Sequence, residues 1–217
     1  AIDLKASPYV DRLNETVAVP ELSIVDDGTL EGAIGTKAFT DEGLPTGKTQ
    51  IIKNGKLVNF LSNDYYSKKF GEKDFEPLNG FRGGGPGRHH SSSPSVIPTN
   101  IVVGKGKFSD EELIKEVKNG VFIGRLWYTY PVNGLSSADF TSTARGDSFL
   151  IENGEIKSSL VPNTVRINDN LDRIFKSIIG IGKKQQATLA WGQDAVVVTP
   201  EIAVKNVRLE RIAKDIY

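Results

Sequence analysis

The residues of this chain best suited to chemistry are carboxylates set beside glycines: Asp26 and Asp27 ahead of Gly28, and Asp41 and Glu42 ahead of Gly43. Carboxylates on such loops can line a cleft or exchange protons with a bound substrate. Surface turns use the same residues for another reason, because short acidic side chains hydrogen-bond to nearby backbone amides, and this is their more common use. His89 and His90 are the only histidines. As neighbours on a loop they are weak candidates for a transition metal, since catalytic zinc takes three protein ligands in fixed geometry with a supporting outer layer. The absence of cysteine removes thiolate ligands, disulfides and a cysteine nucleophile together. No serine sits in G-x-S-x-G, and a triad would have to draw on the two loop histidines. The run Gly43-Leu44-Pro45-Thr46-Gly47-Lys48-Thr49 imitates a phosphate-binding loop. Its glycines are one residue too close, and a strand pattern follows where a helix N-terminus would have to bind the anion, so a plain turn is expected. No complete active site is visible.

These side chains need a frame. The apolar run 22–25 predicts a strand that enters a turn at Asp26, Asp27 and Gly28, followed by a glycine-bearing loop to Gly47. Between residues 50 and 60, Asn54-Gly55 lies between apolar residues and suits the positive φ angles of a type I′ hairpin turn. The segment 149–156 repeats that logic around Asn153-Gly154, and two hairpins of one design predict an antiparallel sheet. Ser62 is the expected cap of a short helix carrying Tyr65, Tyr66 and Phe70, stopped at Gly71. Residues 72–99, rich in glycine and proline and poor in apolar side chains, predict a long surface loop holding both histidines. A strand at 101–103 comes next, then a capping box of Ser109 and Glu112 opening a helix through Val117 that ends at Asn119-Gly120. Leu171, Ile174, Phe175, Ile178 and Ile179 recur at helical spacing and predict one amphipathic helix. Stretches 195–198, 202–204 and 207–209 predict short strands broken at Pro200 and Asn206. The cluster Val121, Phe122, Ile123, Leu126, Trp127, Tyr128 and Tyr130 reads equally as an interface or as an ordinary buried strand. The expected class is α+β, a mainly antiparallel or barrel-like sheet with a few packed helices.

The 217 residues are within the range of one domain, and 38% hydrophobic with 25% charged residues is a globular composition. Lys and Arg total 27 and Asp and Glu total 27, so no net field draws the molecule to nucleic acid or to an anionic membrane, and neither is an expected partner. No apolar run approaches the ~20 residues that span a bilayer, and no secretory pattern is evident. The expected compartment is the cytoplasm, where the Arg145-Gly146-Asp147 and Asn14-Glu15-Thr16 matches to extracellular motifs are coincidental.

Several stretches, taken in order, resemble the C-terminal domain of the TldD/PmbA family, called modulators of DNA gyrase and understood as metal-dependent peptidases. They are Leu22-Ser23-Ile24-Val25-Asp26-Asp27-Gly28-Thr29-Leu30, Phe39-Thr40-Asp41-Glu42-Gly43-Leu44-Pro45-Thr46, Ile52-Lys53-Asn54-Gly55-Lys56-Leu57, Pro98-Thr99-Asn100, Ser137-Ala138-Asp139-Phe140-Thr141-Ser142 and the second hairpin. Each is weak alone; their order across most of the chain makes the resemblance specific. It implies a single, largely β domain over residues 1–217 that builds a substrate channel and a dimer. The metal-binding H-E-x-x-x-H helix belongs to an N-terminal domain, and that motif is absent from this chain. In the peptidase-active branch a cysteine near the C-terminal strands adds a metal ligand. The comparable stretch 187–198 has none, which favours the PmbA-like branch, whose members can be catalytically silent partners. The resemblance therefore assigns no catalytic or metal-binding residue here and leaves open whether the chain is an enzyme. Asp26, Asp27, Asp41, Glu42, Gly43 and Asn100 become candidates for the channel wall. Zinc is expected only in a full-length active relative, peptide is the implied substrate, and the partner is a second copy or a TldD-like subunit. The alternative is a self-standing structural or interaction protein with no part in proteolysis.

Overall fold

Two Asn-Gly turns build the most regular features of the fold. Asn54 and Gly55 sit at φ +49° and +78°, and Asn153 and Gly154 at +52° and +77°, the paired left-handed conformations that match strand twist in two-residue hairpins. The structure is a computed structural model that describes residues 5–71, 75–83, 93–189 and 195–212. In chain order its elements are β1 (Ile24–Asp27), β2 (Lys48–Lys53), β3 (Lys56–Leu57), α1 (Asp64–Phe70), β4 (Gly80–Phe81), β5 (Ser95–Val96), β6 (Asn100–Val103) and α2 (Asp110–Val117). There follow β7 (Gly120–Ile123), β8 (Leu126–Pro131), a 3₁₀ turn Leu135–Ser137, β9 (Asp139–Ala144), β10 (Ser148–Glu152), β11 (Glu155–Ser159) and β12 (Val165–Asn170). The chain then runs through α3 (Leu171–Lys176), β13 (Ile178–Leu189), β14 (Val196–Val204) and β15 (Leu209–Arg211).

The main sheet has the order β13-β14-β6-β1-β2-β3, beside a four-stranded sheet β15-β12-β9-β8, a three-stranded sheet β11-β10-β7 and the β4-β5 pair. Every pairing between these strands is antiparallel except β14 with β6, an isolated bridge of Phe108 with Gly182 is also parallel, and no sheet of the described residues closes into a barrel. The class is α+β with few helices. Val17, Leu22, Ile52, Leu57, Val103, Ile178 and Ile181 fill the core over the main sheet, with Phe175 packed against them. Ala144, Leu160 and Val165 form a smaller core that Val121, Ile123 and Leu150 cover. Helix α2 opens with the expected reciprocal cap, Glu112 N donating to Ser109 Oγ and Ser109 N to Glu112 Oε2.

Several elements depart from the sequence expectations, each for an identifiable reason. The first strand lies two residues later than its apolar run, so Asp26 and Asp27 are strand residues, held there by pairing with both β2 and β6. The predicted helix at 171–179 stops at Lys176. Ile178 and Ile179 enter β13, where β-branched side chains fit and pairing with β14 buries Ile178. Helix α1 is capped by Asn63, whose side chain accepts from the Tyr66 amide, while Ser62 is buried. The 72–99 stretch is not surface loop throughout: Asn79, Gly80 and Phe81 are buried and β4 pairs with β5. The strands expected on either side of Pro200 are one, β14. Its β6 pairing ends at Val198, so beyond that point one edge is unpaired and tolerates a proline.

Candidate functional site

Adjacent residues on a strand face opposite ways, and β1 uses this to place two carboxylates in different surroundings. Asp26 is buried. Its Oδ1 accepts the Thr99 amide at 2.8 Å, and its Oδ2 accepts Asn79 Nδ2 at 2.5 Å and Thr99 Oγ1 at 3.1 Å. Burial pushes its pKa above the ordinary carboxylate value, and these donors only partly oppose the rise. At Asp27 burial also acts upward, but Lys48 Nζ at 2.9 Å and the Thr29 hydroxyl and amide at 2.8 and 2.9 Å outweigh it and hold the group low.

Asn100, the first residue of β6, completes this node. Its Nδ2 donates to the Asp27 carbonyl at 2.7 Å and to Thr36 Oγ1 at 3.1 Å, while its Oδ1 accepts the Gly35 amide at 3.1 Å. A Cβ on Gly35 would lie 2.5 Å from the Thr99 carbonyl oxygen and 2.6 Å from Asn100 Oδ1, so only glycine lets the loop approach so closely. Asp27 and Asn100 thus anchor the loop between β1 and β2, while Asp26 ties β1 to Asn79 and Thr99, just ahead of β4 and β6.

Asp41, Glu42 and Gly43 lie elsewhere on that loop, in a tight turn where Thr40 N donates to the Leu44 carbonyl and Gly43 takes φ +80°. Asp41 Oδ2 accepts the Arg82 amide at 2.6 Å, and Glu42 Oε2 accepts the Asp64 amide at 2.9 Å, at the start of α1. These carboxylates stitch the loop to β4 and α1. His89 and His90 lie outside the described residues. Among the described residues no three His, Cys, Asp or Glu side chains form a group that could hold a metal ion. The donor set of the described residues does not fit a metal by itself.

The aromatic cluster at 121–130 divides. Phe122 is half-buried in β7, while Val121 and Ile123 cover the smaller core. On β8, the edge strand of its sheet, Leu126, Tyr128 and Tyr130 are 42%, 72% and 53% exposed. Tyr128 sits at φ +51°, rare for a bulky residue, within an irregularity of the β8–β9 register, and it meets the Trp127 ring edge-on at 5.6 Å.

Sequence reasoning missed two nodes. Asn79 donates to Asp26 while its own Oδ1 is buried without a partner among the described residues. At the second node Arg173 Nε and Nη2 clasp Asp169 at 2.8 and 2.6 Å, and the Asn170 and Arg208 amides donate to the same carboxylate. The i, i+4 spacing of Asp169 and Arg173 was the available signal for the second. Nothing local announced Asn79.

Residues 1–211 match the family model described as the PmbA/TldA metallopeptidase C-terminal domain. The chain belongs to that family. Among its curated relatives, the metalloprotease MJ0996 of Methanocaldococcus jannaschii is 30% identical over 170 residues, which is 78% of this chain and 35% of the relative. A metalloprotease TldD homolog of Haemophilus influenzae is 29% identical over 196 residues, 87% of this chain and 36% of the relative. This PmbA/TldA domain therefore spans about a third of these relatives' length. Among solved structures, the Thermotoga maritima protein TM0727, described as a modulator of a DNA gyrase, superposes with TM-score 0.77 at 26% identity, covering 96% of this chain and 44% of that one. TldE of Thermococcus kodakarensis superposes with TM-score 0.80 and the same coverage at 24% identity, a likeness of fold. No helix of the described residues is long and apolar enough to cross a membrane.

Proposed function

We propose that this PmbA/TldA C-terminal domain serves peptide hydrolysis by shaping a substrate channel and a subunit interface, in a TldD/PmbA-like metallopeptidase or its catalytically silent partner. The observation that carries this reading is the division of labour among the polar residues. Asp27, Asn100, Asp41 and Glu42 are engaged in fastening the β1–β2 loop to the sheet, β4 and α1, Asp26 ties β1 to Asn79 and Thr99, and the loop presents Ile34 and Phe39 at 79% and 67% exposure. Rigidly held apolar side chains at a surface favour contact with another chain or with an extended peptide. The exposed β8 aromatics supply a second such surface, and the partner is a second copy or a TldD-like subunit. Zinc, where the assembly uses it, needs ligands from outside the described residues, which contain no group of three His, Cys, Asp or Glu side chains able to hold a metal by themselves. Light scattering tests the interface: the chain self-associates or pairs with a TldD-like metalloprotease, and Tyr128→Ser with Tyr130→Ser shifts it toward monomer. A monomer under every condition, unchanged by the substitutions, removes the interface.

A further inference from the structure

The chain contains five Asn-Gly pairs, at 54–55, 79–80, 119–120, 133–134 and 153–154. Asn-Gly is the dipeptide most prone to cyclise, because glycine offers no side chain to obstruct attack by its backbone nitrogen on the asparagine amide carbon. The fold hydrogen-bonds that nitrogen at two of the five pairs and sets the glycine in a paired strand at two more. The Gly55 amide donates to the Leu22 carbonyl at 2.8 Å and the Gly154 amide to the Lys118 carbonyl at 2.7 Å, and both glycines are buried. Gly80 is buried in β4, opposite Val96. Gly120 is paired in β7 opposite Ile151, and Asn119 Oδ1 is occupied by the Asn153 amide at 3.0 Å.

Asn133-Gly134 is different. Both residues are exposed, between β8 and the 3₁₀ turn, and the Gly134 amide has no hydrogen-bond partner among the described residues. A Cβ built on Gly134 would meet nothing within 4 Å. The side-chain amide is held only by Nδ2 donating to Asp139 Oδ2 at 3.2 Å, on the surface. We infer that Asn133 is a self-modification site, converted to aspartate and isoaspartate through a cyclic imide formed with the Gly134 nitrogen. The Gly134 nitrogen loses its proton and bonds to Asn133 Cγ, and the Cγ–Nδ2 bond breaks to release ammonia. Water then opens the imide at either carbonyl, with no oxidant or reductant required. The product places a second carboxylate where Asn133 donated to Asp139, so a hydrogen bond becomes a like-charge contact. The isoaspartyl product also lengthens the backbone of a loop flanked by the exposed Tyr130 and Leu135.

The test is peptide mapping by mass spectrometry of the intact, unsubstituted chain aged in mildly alkaline buffer, with a parallel sample in denaturing urea. In urea the five pairs should convert at similar rates. In the native protein Asn133 should convert at least about tenfold faster than Asn54 or Asn153, whose glycine amides must first break free. An acidic species should grow on ion exchange and be absent from Asn133→Gln. Conversion of Asn54 or Asn153 at the same rate as Asn133, or a native Asn133 that stays intact while its unfolded counterpart converts, would overturn the inference.

Discussion

Replacing Asp26 by alanine removes the acceptor for three donors. Asn79 Nδ2 keeps the Ile97 carbonyl at 3.2 Å and Thr99 Oγ1 can rotate, but the Thr99 amide is left buried with no acceptor and Asn79 is half-released. An unmatched buried polar group costs about 1–3 kcal/mol. Relief of the carboxylate's own desolvation offsets part of this, so a net loss of about 2 kcal/mol is expected at neutral pH. With a urea m-value of about 2–3 kcal/mol/M, the midpoint should fall by about 0.7–1 M. The pH dependence adds a second, independent readout. The folded-state pKa of Asp26 is raised above its unfolded value. The native state therefore binds that proton more tightly, and the resulting stability is fully present below the unfolded pKa and lost as pH rises through the folded one. The alanine variant lacks this contribution, so its deficit should be larger in acid and shrink as pH rises from the ordinary carboxylate value. Urea melts of both proteins across that range measure it. A deficit under 1 kcal/mol, or one that grows with pH, would refute the reasoning.

Arg173→Ala should cost about 3 kcal/mol or more by stranding the buried Asp169 carboxylate. Burial acts to raise the Asp169 pKa, but Arg173 and the Arg208 and Asn170 amides outweigh it and leave it lowered, so the stability it contributes should be lost as pH falls through the folded value. Thermal melts from neutral to acid pH check both effects. Phe175→Ala should lower stability by about 3 kcal/mol by opening a gap over the main-sheet core, read as a shifted denaturation midpoint. Ser109→Ala should cost about 1 kcal/mol through loss of the α2 cap, with little change elsewhere.

Features with a local physical cause were the most legible in the sequence. Asn54-Gly55 and Asn153-Gly154 specify their turns by conformation alone, and Ser109 with Glu112 specifies a helix start, so hairpins and cap fall where the sequence places them. The class followed from those hairpins. Ile178 and Ile179 misled because their spacing from Leu171 fits a helix, while pairing with Ile202–Val204, far along the chain, makes them a strand. The ordered motifs pointed to the family, yet the roles of their residues are set by distant partners. Asp26 meets Thr99 and Asn79, and Glu42 meets Asp64, contacts that no spacing rule anticipates.

The central claim, that this domain supplies channel and interface to a peptidase, is tested most directly by mixing. The purified chain is combined with a TldD-like metalloprotease and peptide hydrolysis is followed while light scattering reports assembly. A complex accompanied by altered hydrolysis, lost again with Tyr128→Ser and Tyr130→Ser, is the predicted result. No complex and no change in hydrolysis at any ratio would contradict it.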